Sequence, residues 1–294
     1  TLLRDLNIEL FQQILGEQAI YEPTSMIPHQ LVTLPDQQEP SYRIKGGTST
    51  LIHKLAENID PDLLFLGKPV HSITEQDDRL MVECESLAFS SRCVISTLPP
   101  RLLQQKVAIN PPMPDSVRTI MAKTHTWMGE SIKFGLTFDK PFWREKNSSG
   151  TLFSNVGPIT EMYDHSSFED DRFALMGFLN GSYFSMSRDK RQKIVLDQLE
   201  KYYGEQVNQS LLHYHELVWN HEKYTFTPYN EHILPHQHNG HSIYQKPYLN
   251  DKLFIAGAET SPVFPGYMDG AVSSAKSVYN LLRNSSLIPA ASSG

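Results

Sequence analysis

The chain has only two cysteines in 294 residues, Cys84 and Cys93. That scarcity excludes a disulfide scaffold and a four-thiolate zinc site. It leaves one optional bridge or, as expected here, two ordinary buried thiols. No uncharged apolar run approaches the ~20 residues that a membrane-spanning helix needs. Cations are not in excess either, with 26 Lys+Arg against 33 Asp+Glu and a net charge of −7. A surface built to neutralise nucleic-acid phosphates is therefore excluded. The 16 glycines include no pair separated by a single residue, so G-x-G-x-x-G is absent. The Walker loop G-x-x-x-x-G-K-S/T, the G-x-S-x-G elbow and the H-E-x-x-H helix are also missing. What is present is a globular composition, 39% hydrophobic and 10% aromatic, with length enough for two average domains.

Apolar residues from Leu2 to Leu15 follow a helical period, and Thr1–Leu6 reads as helix interior with no signal-peptide character. A polar stretch to Tyr42 predicts short strands and loops. Gly46-Gly47 then opens a helix through Leu51, Ile52, Leu55 and Ile59. Leu64–Leu66, Val70–Ile73, Leu80–Val82 and Cys93–Ser96 predict four strands of an antiparallel meander, the last one buried. After Pro111-Pro112-Met113-Pro114 the pattern predicts a helix over 116–123 and strands over 131–138, 159–163 and 173–179. A helix over 187–203, capped by Gly204, precedes a strand over 214–219. Lys252–Gly257 predicts a strand ending in a glycine turn, and a helix follows from about Tyr267 to Leu282. The final residues, 287–294, read as a frayed tail.

Seven of the twelve histidines fall between His213 and His241. His236-x-His238 has chelating spacing, but no thiol or carboxylate stands at a ligand interval, so no metal site is expected. The carboxyl-terminal unit is more specific. A buried strand breaks at Gly257 into Ala258-Glu259-Thr260, and Gly266-Tyr267-Met268-Asp269-Gly270-Ala271 opens a helix with a small-residue face. A glycine turn beside free helix-start amides suits either a flat or anionic ligand or merely tight helix–sheet packing.

Those two segments resemble the carboxyl-terminal flavin motif of the FAD-dependent amine oxidase family, which includes monoamine, polyamine and L-amino-acid oxidases. Four further stretches, in order, carry the same resemblance. Arg43-Ile44-Lys45-Gly46-Gly47 is similar to the family's R-x-x-G-G element, and Pro69-Val70 to its adenine-touching strand. Ile95-Ser96-Thr97-Leu98-Pro99-Pro100 is similar to its strand-to-Pro-Pro exit. Thr126-Trp127-Met128-Gly129, Lys133 and Pro141-Phe142-Trp143-Arg144-Glu145 match its T-W-M-G, K and P-F-W-R-E run.

The resemblance implies an α/β fold in which a Rossmann-like FAD-binding domain is interleaved with an α+β substrate domain. The latter is expected to hold a mixed, largely antiparallel sheet. Residues 1–42 and 111–215 fall to the substrate domain, 43–110 and 216–294 to the FAD domain. Arg43, Gly46 and Gly47 would lie beside the flavin, Val70 at the adenine edge, and Gly257 and Glu259 at the ribityl and pyrophosphate part. Met268 and the amides of Asp269 and Gly270 would meet the isoalloxazine. Lys133 would hold a water against flavin N5; by sequence alone it is a cation inside an apolar strand. Tyr267 would form one wall of an aromatic cage. Counting on from Trp219, also placed at the cofactor, puts Tyr229 at the other wall. Pro228 replaces the cysteine that attaches flavin in monoamine oxidases, so FAD is expected to be non-covalent.

The implied reaction oxidises an amine by hydride transfer to FAD, with O2 returning the flavin and leaving H2O2. The alternatives are a desaturase or dehydrogenase on the same fold, and a remnant that no longer holds FAD. The family's opening βαβ unit with G-x-G-x-x-G is not in this sequence. The chain is therefore expected to be a fragment starting just after that unit, with little grip on the diphosphate. The cytoplasm is the default localisation, and oligomeric state and amine class are not legible.

Overall fold

A computed structural model describes residues 2–13, 16–35, 40–229, 231–285 and 287. The chain forms two compact units, residues 1–64 with 131–218 and residues 65–130 with 219–294.

The first unit is built on a seven-stranded sheet. Its strands run in the order Leu211–Val218, Ile132–Phe138, Phe173–Leu179, Ile159–Asp164, Ser148–Ser154, Gln18–Glu22 and Gln30–Thr33. Every pairing is antiparallel except that of Ser148–Ser154 with Gln18–Glu22. Strict alternation in Ile132–Phe138 buries Ile132, Phe134, Leu136 and Phe138 on one face. That face packs on the helix Arg188–Tyr203 through Val195 and Leu199, and Gly204 ends the helix at positive φ. Gly135 points the other way, and a β-carbon there would meet nothing within 4 Å. Gly135→Ala should therefore stabilise the protein by roughly 0.5–1 kcal/mol, through the unfolded chain's lost freedom. A lower melting temperature for this variant would refute it.

In the second unit, Val70–Gln76, Arg79–Cys84 and Ala88–Ser91 form an antiparallel ribbon, and Ala108–Asn110 joins Val70–Gln76 in parallel. Separately, Leu253–Ile255 pairs in parallel with Val94–Ser96. The helix Met268–Arg283 covers Phe254 and Ala256 with Val278 and Leu282.

Several sequence expectations are corrected. The amino-terminal helix spans only Leu2–Asp5; Asn7 turns left-handed, and Leu10–Gln12 pairs with Tyr42–Ile44 instead. Its expected members Ile14 and Leu15, like most of the tail, lie outside the described residues. Leu64–Leu66 is not a strand but exposed chain after a short 3-10 turn, Pro61–Leu63. The meander takes Ala88–Ser91 as its third strand, while Val94–Ser96 leaves for the parallel pair with Ile95 45% exposed. Cys84 and Cys93 are free and half-buried. The strand Ser148–Ser154 and the helix Pro100–Lys106 had no expectation at all. A Ser-Ser-Gly start hides the first, and Pro-Pro reads as a break where it in fact opens the second.

Candidate active site

Within the second unit, the strand Leu253–Ile255 ends where the Ala256 N–H donates to Ser96 O at 2.8 Å. Gly257 follows at φ 137°, a conformation that L side chains rarely adopt. Its N–H donates to Ser274 Oγ at 3.1 Å, and Thr260 Oγ1 bonds both Gly257 O and Ser274 Oγ. The small face of the last helix is thus hydrogen-bonded to the turn. Burial pushes the Glu259 carboxyl up, toward its neutral form.

The turn sits against Thr97, whose carbonyl lies 3.6 Å from where a Gly257 β-carbon would be. Thr97 also lines a cavity of about 530 Å3 shared with Val70, Ser96 and Leu98, with Lys106 and Lys223 at its wall. Apolar walls with lysines beside them suit a flat aromatic ring joined to phosphate, and the volume falls in the range of cofactor sites. The residues present fit the nucleotide part of FAD.

Past the turn, the helix Met268–Arg283 begins without a side-chain cap, and Ala271 is the first amide to find its acceptor, Tyr267 O. The preceding amides remain available to an acceptor outside the helix. Gly270 has a packing reason as well: a β-carbon there would come within 2.2 Å of Phe264 O. Tyr267 and Met268 are 53% and 60% exposed.

Behind Tyr267 stands a row of rings. Trp127 stacks on His236 with centroids 4.3 Å apart, and both rings reach Tyr267, at 6.0 and 6.4 Å. His236 stands at φ 59°, and its backbone N–H donates to His125 Nδ1 at 3.2 Å. Burial and the neighbouring His236 lower the His125 pKa, which keeps that nitrogen an acceptor. Tyr229 stacks on His125 at 6.1 Å and lies edge-on to Phe226. Its hydroxyl accepts from Thr126 N at 3.0 Å, and the buried Arg101 guanidinium covers its ring at 4.8 Å. The ring contacts of Tyr267 therefore go to His236 and Trp127, and those of Tyr229 to His125 and Phe226. Trp219 starts the 3-10 turn Trp219–His221.

In the sequence Trp127 stands out only within its motif, and His236 only for its chelating spacing with His238. Nothing local marks either, because Trp127 and His236 meet only through the fold. Among the described residues no group of three or more His, Cys, Asp or Glu could hold a metal.

Four expected site residues belong to the first unit. Gly46 and Gly47, both at positive φ, form the turn before the helix Ser49–Ala56. Arg43 donates to Ser166 O at 2.7 Å and His165 O at 3.1 Å, and lies over Phe11. Lys133, on the sheet face opposite the core, holds Nζ 5.6 Å over the Phe178 ring. No carboxylate pairs with it among the described residues.

A family model described as flavin containing amine oxidoreductase matches residues 4–278. The chain belongs to this family. A probable flavin-containing monoamine oxidase A of Dictyostelium discoideum is 28% identical over 258 residues, covering 83% of this chain and 55% of that protein. A putrescine oxidase of Kocuria rosea is 26% identical over 187 residues, 58% of this chain and 38% of that one. The chain thus spans about half the length, or less, of the curated relatives it matches. In three dimensions, a structure of wild-type putrescine oxidase bound to putrescine superimposes with TM-score 0.79 at 18% identity, over 96% of this chain and 85% of that chain. The fold is that of these flavin amine oxidoreductases.

Proposed function

We propose that this chain supplies the substrate-facing and much of the cofactor-facing part of an FAD-dependent amine oxidase. The observation that carries the reading is the uncapped helix start at Met268, with Tyr267 exposed at the end of the Trp127–His236 row and the Gly257 turn alongside. FAD, when bound, supplies the hydride acceptor and the reoxidation by O2 that yields H2O2. Val70 and the 530 Å3 cavity would take its adenine end, and Gly257 with Glu259 its ribityl and diphosphate part. The Met268 side chain and the amides of Asp269 and Gly270 would meet the ring system, where a helix start favours partial negative charge. Arg43, Gly46, Gly47 and Trp219 are assigned to the cofactor by resemblance of motif. With Pro228 before Tyr229, no thiol is offered there for attachment, so the cofactor is held non-covalently.

The chain's own residues then have three tasks. Tyr267 presents an aromatic face that orients an amine and favours its neutral form by excluding water, while Tyr229, matched to the second wall by motif alone, has its ring engaged by His125 and Arg101. The burial that raises the Glu259 carboxyl favours its neutral form, whose O–H would donate where an ionised carboxylate only accepts. Lys133, with no carboxylate partner among the described residues, would hold a water by donation from Nζ.

Protein saturated with added FAD should show a bound-flavin spectrum that an amine bleaches under nitrogen and air restores, with one peroxide per amine oxidised. A flavin that no amine bleaches would refute the proposal. Lys133→Met should leave bound flavin in place and slow its reduction or reoxidation about tenfold or more, within the range for a residue that positions or moves a proton. Unchanged single-turnover rates in both half-reactions would remove Lys133 from the mechanism.

A further inference from the structure

His236 is held in a left-handed backbone conformation, at φ 59°, with His238 at φ 58° two residues on. Non-glycine residues reach that region at a cost, and histidine is among those that enter it most often. Hydrogen bonds secure the loop on both sides. The His236 N–H donates to His125 Nδ1 at 3.2 Å, and the His125 N–H donates to Gln237 O at 3.0 Å. Gln237 Nε2 donates to Lys123 O at 3.3 Å, and Gly240 N donates to Glu259 O at 2.8 Å. Strain retained in this way points to a use for the side chain it presents.

What the loop presents is a flat ring rather than a hydrogen bond. His236 Nδ1 is buried without a hydrogen-bond partner among the described residues, a cost that polar use of that atom would have removed. The ring planes, by contrast, are matched. His236 lies 22° from the plane of Trp127 and 20° from that of Tyr267, and the 6.4 Å to Tyr267 is within the range of offset stacking. We infer that His236 is a positioning residue whose ring, stacked on Trp127, sets the orientation of the Tyr267 ring. The inference rests on the oxidase reading, in which Tyr267 orients the amine.

Tyr267 needs such support. It precedes the helix Met268–Arg283 in an extended conformation, and an exposed side chain there is free to change rotamer. Trp127 meets it tilted at 41°, which leaves a rotation of the phenol open. A second ring nearly parallel to it removes that rotation. Trp127 is itself a fixed base, since a β-carbon on Gly266 would stand 2.8 Å from its Cβ. Histidine thus answers two demands at position 236, a left-handed backbone and a flat ring. Asparagine meets the first without the second. Phenylalanine meets the second, and Phe264 at φ 49° shows that this unit accepts it left-handed.

His236→Asn and His236→Phe separate the two demands. With each protein saturated with FAD, the limiting rate of flavin reduction by benzylamine should fall about tenfold or more in His236→Asn and stay within about threefold of the parent in His236→Phe. Near-ultraviolet dichroism of the FAD-free proteins should weaken in His236→Asn and persist in His236→Phe, with melting temperatures recorded to show that both fold. A residue that merely held the loop would give the reverse order, because asparagine suits the backbone better. Reduction rates that follow the melting temperatures would therefore overturn the inference, as would His236→Asn equal to the parent in rate and dichroism. Should His236→Phe not fold, the His236→Asn protein decides alone, by loss of both signals or by their retention. If no amine reduces the parent's flavin, the oxidase reading falls. The dichroism then decides the ring's role, supported by loss in His236→Asn alone and overturned by equal signals.

Discussion

Gly270→Ala should unseat the turn at residues 262–266 and destabilise the protein, although the same change usually strengthens a helix. In an open helix interior the substitution gains about 1 kcal/mol. Here the added β-carbon would stand 2.2 Å from Phe264 O, a backbone atom with no rotamer to escape into. Phe264 itself is held left-handed at φ 49°. The turn is pinned from other sides too. Gly240 would meet Ser261 O at 2.7 Å, and Gly266 would meet Trp127 Cβ at 2.8 Å, if either gained a β-carbon. Overpacking of this kind costs roughly 3 kcal/mol, so the net loss is about 2 kcal/mol. That corresponds to a melting temperature lower by roughly 4–8 °C. Because Tyr267 follows the turn and packs with Trp127, the near-ultraviolet dichroism of the aromatic row should change along with it. A melting temperature equal to or above the parent's would show that the turn gives way without cost.

That turn also marks where sequence legibility was greatest. Gly257 to Ala271 is read along fifteen consecutive residues, so its strand end, glycine turn and helix start were all legible without tertiary information. The helix Arg188–Tyr203 was legible for a similar reason, its 3.6-residue period ending in Gly204. Strand Phe173–Leu179 stands within the residues that its apolar run marked. What could not be read depends on partners far apart in the chain. The Leu2–Leu15 pattern has a helical period, but pairing of Leu10–Gln12 with Tyr42–Ile44 overrides it. Val94–Ser96 is a strand as expected, yet its neighbour Leu253–Ile255 lies more than 150 residues on, which no local spacing reveals. The Trp127–His236 stack is of the same kind. Period and turn chemistry are local; ring stacks and cavities are made by register.

Arg191→Met should destabilise the protein by roughly 3–5 kcal/mol near neutral pH. Arg191 and Glu216 join the helix Arg188–Tyr203 to the edge strand Leu211–Val218, with side chains 5% and 6% exposed. Arg191 Nε donates to Glu216 Oε2 at 3.0 Å and Nη2 to Oε1 at 2.5 Å, a two-point contact that lysine could not reproduce. Nη1 also donates to the Met186 carbonyl, closing the loop before the helix, and the Tyr214 hydroxyl donates to Glu216 Oε2 at 2.7 Å. Burial alone would raise the Glu216 carboxyl, but the Arg191 and Tyr214 hydrogen bonds outweigh it and hold its pKa below the ordinary value. A carboxyl depressed on folding stabilises above its unfolded pKa, near 4.3, and loses that contribution as pH falls through the folded value. Without Arg191 the carboxylate is left buried and uncompensated, so the variant gains by protonation where the parent loses. The stability gap should therefore be widest near pH 7 and narrow steadily below about pH 5. Arg191→Met with Glu216→Leu should recover most of the loss, because an apolar pair removes both desolvated charges. Urea melts of the three proteins at pH 7 and pH 4 measure all of this. A gap below about 1 kcal/mol at pH 7, or one that widens on acidification, would show that water reaches the pair despite its burial.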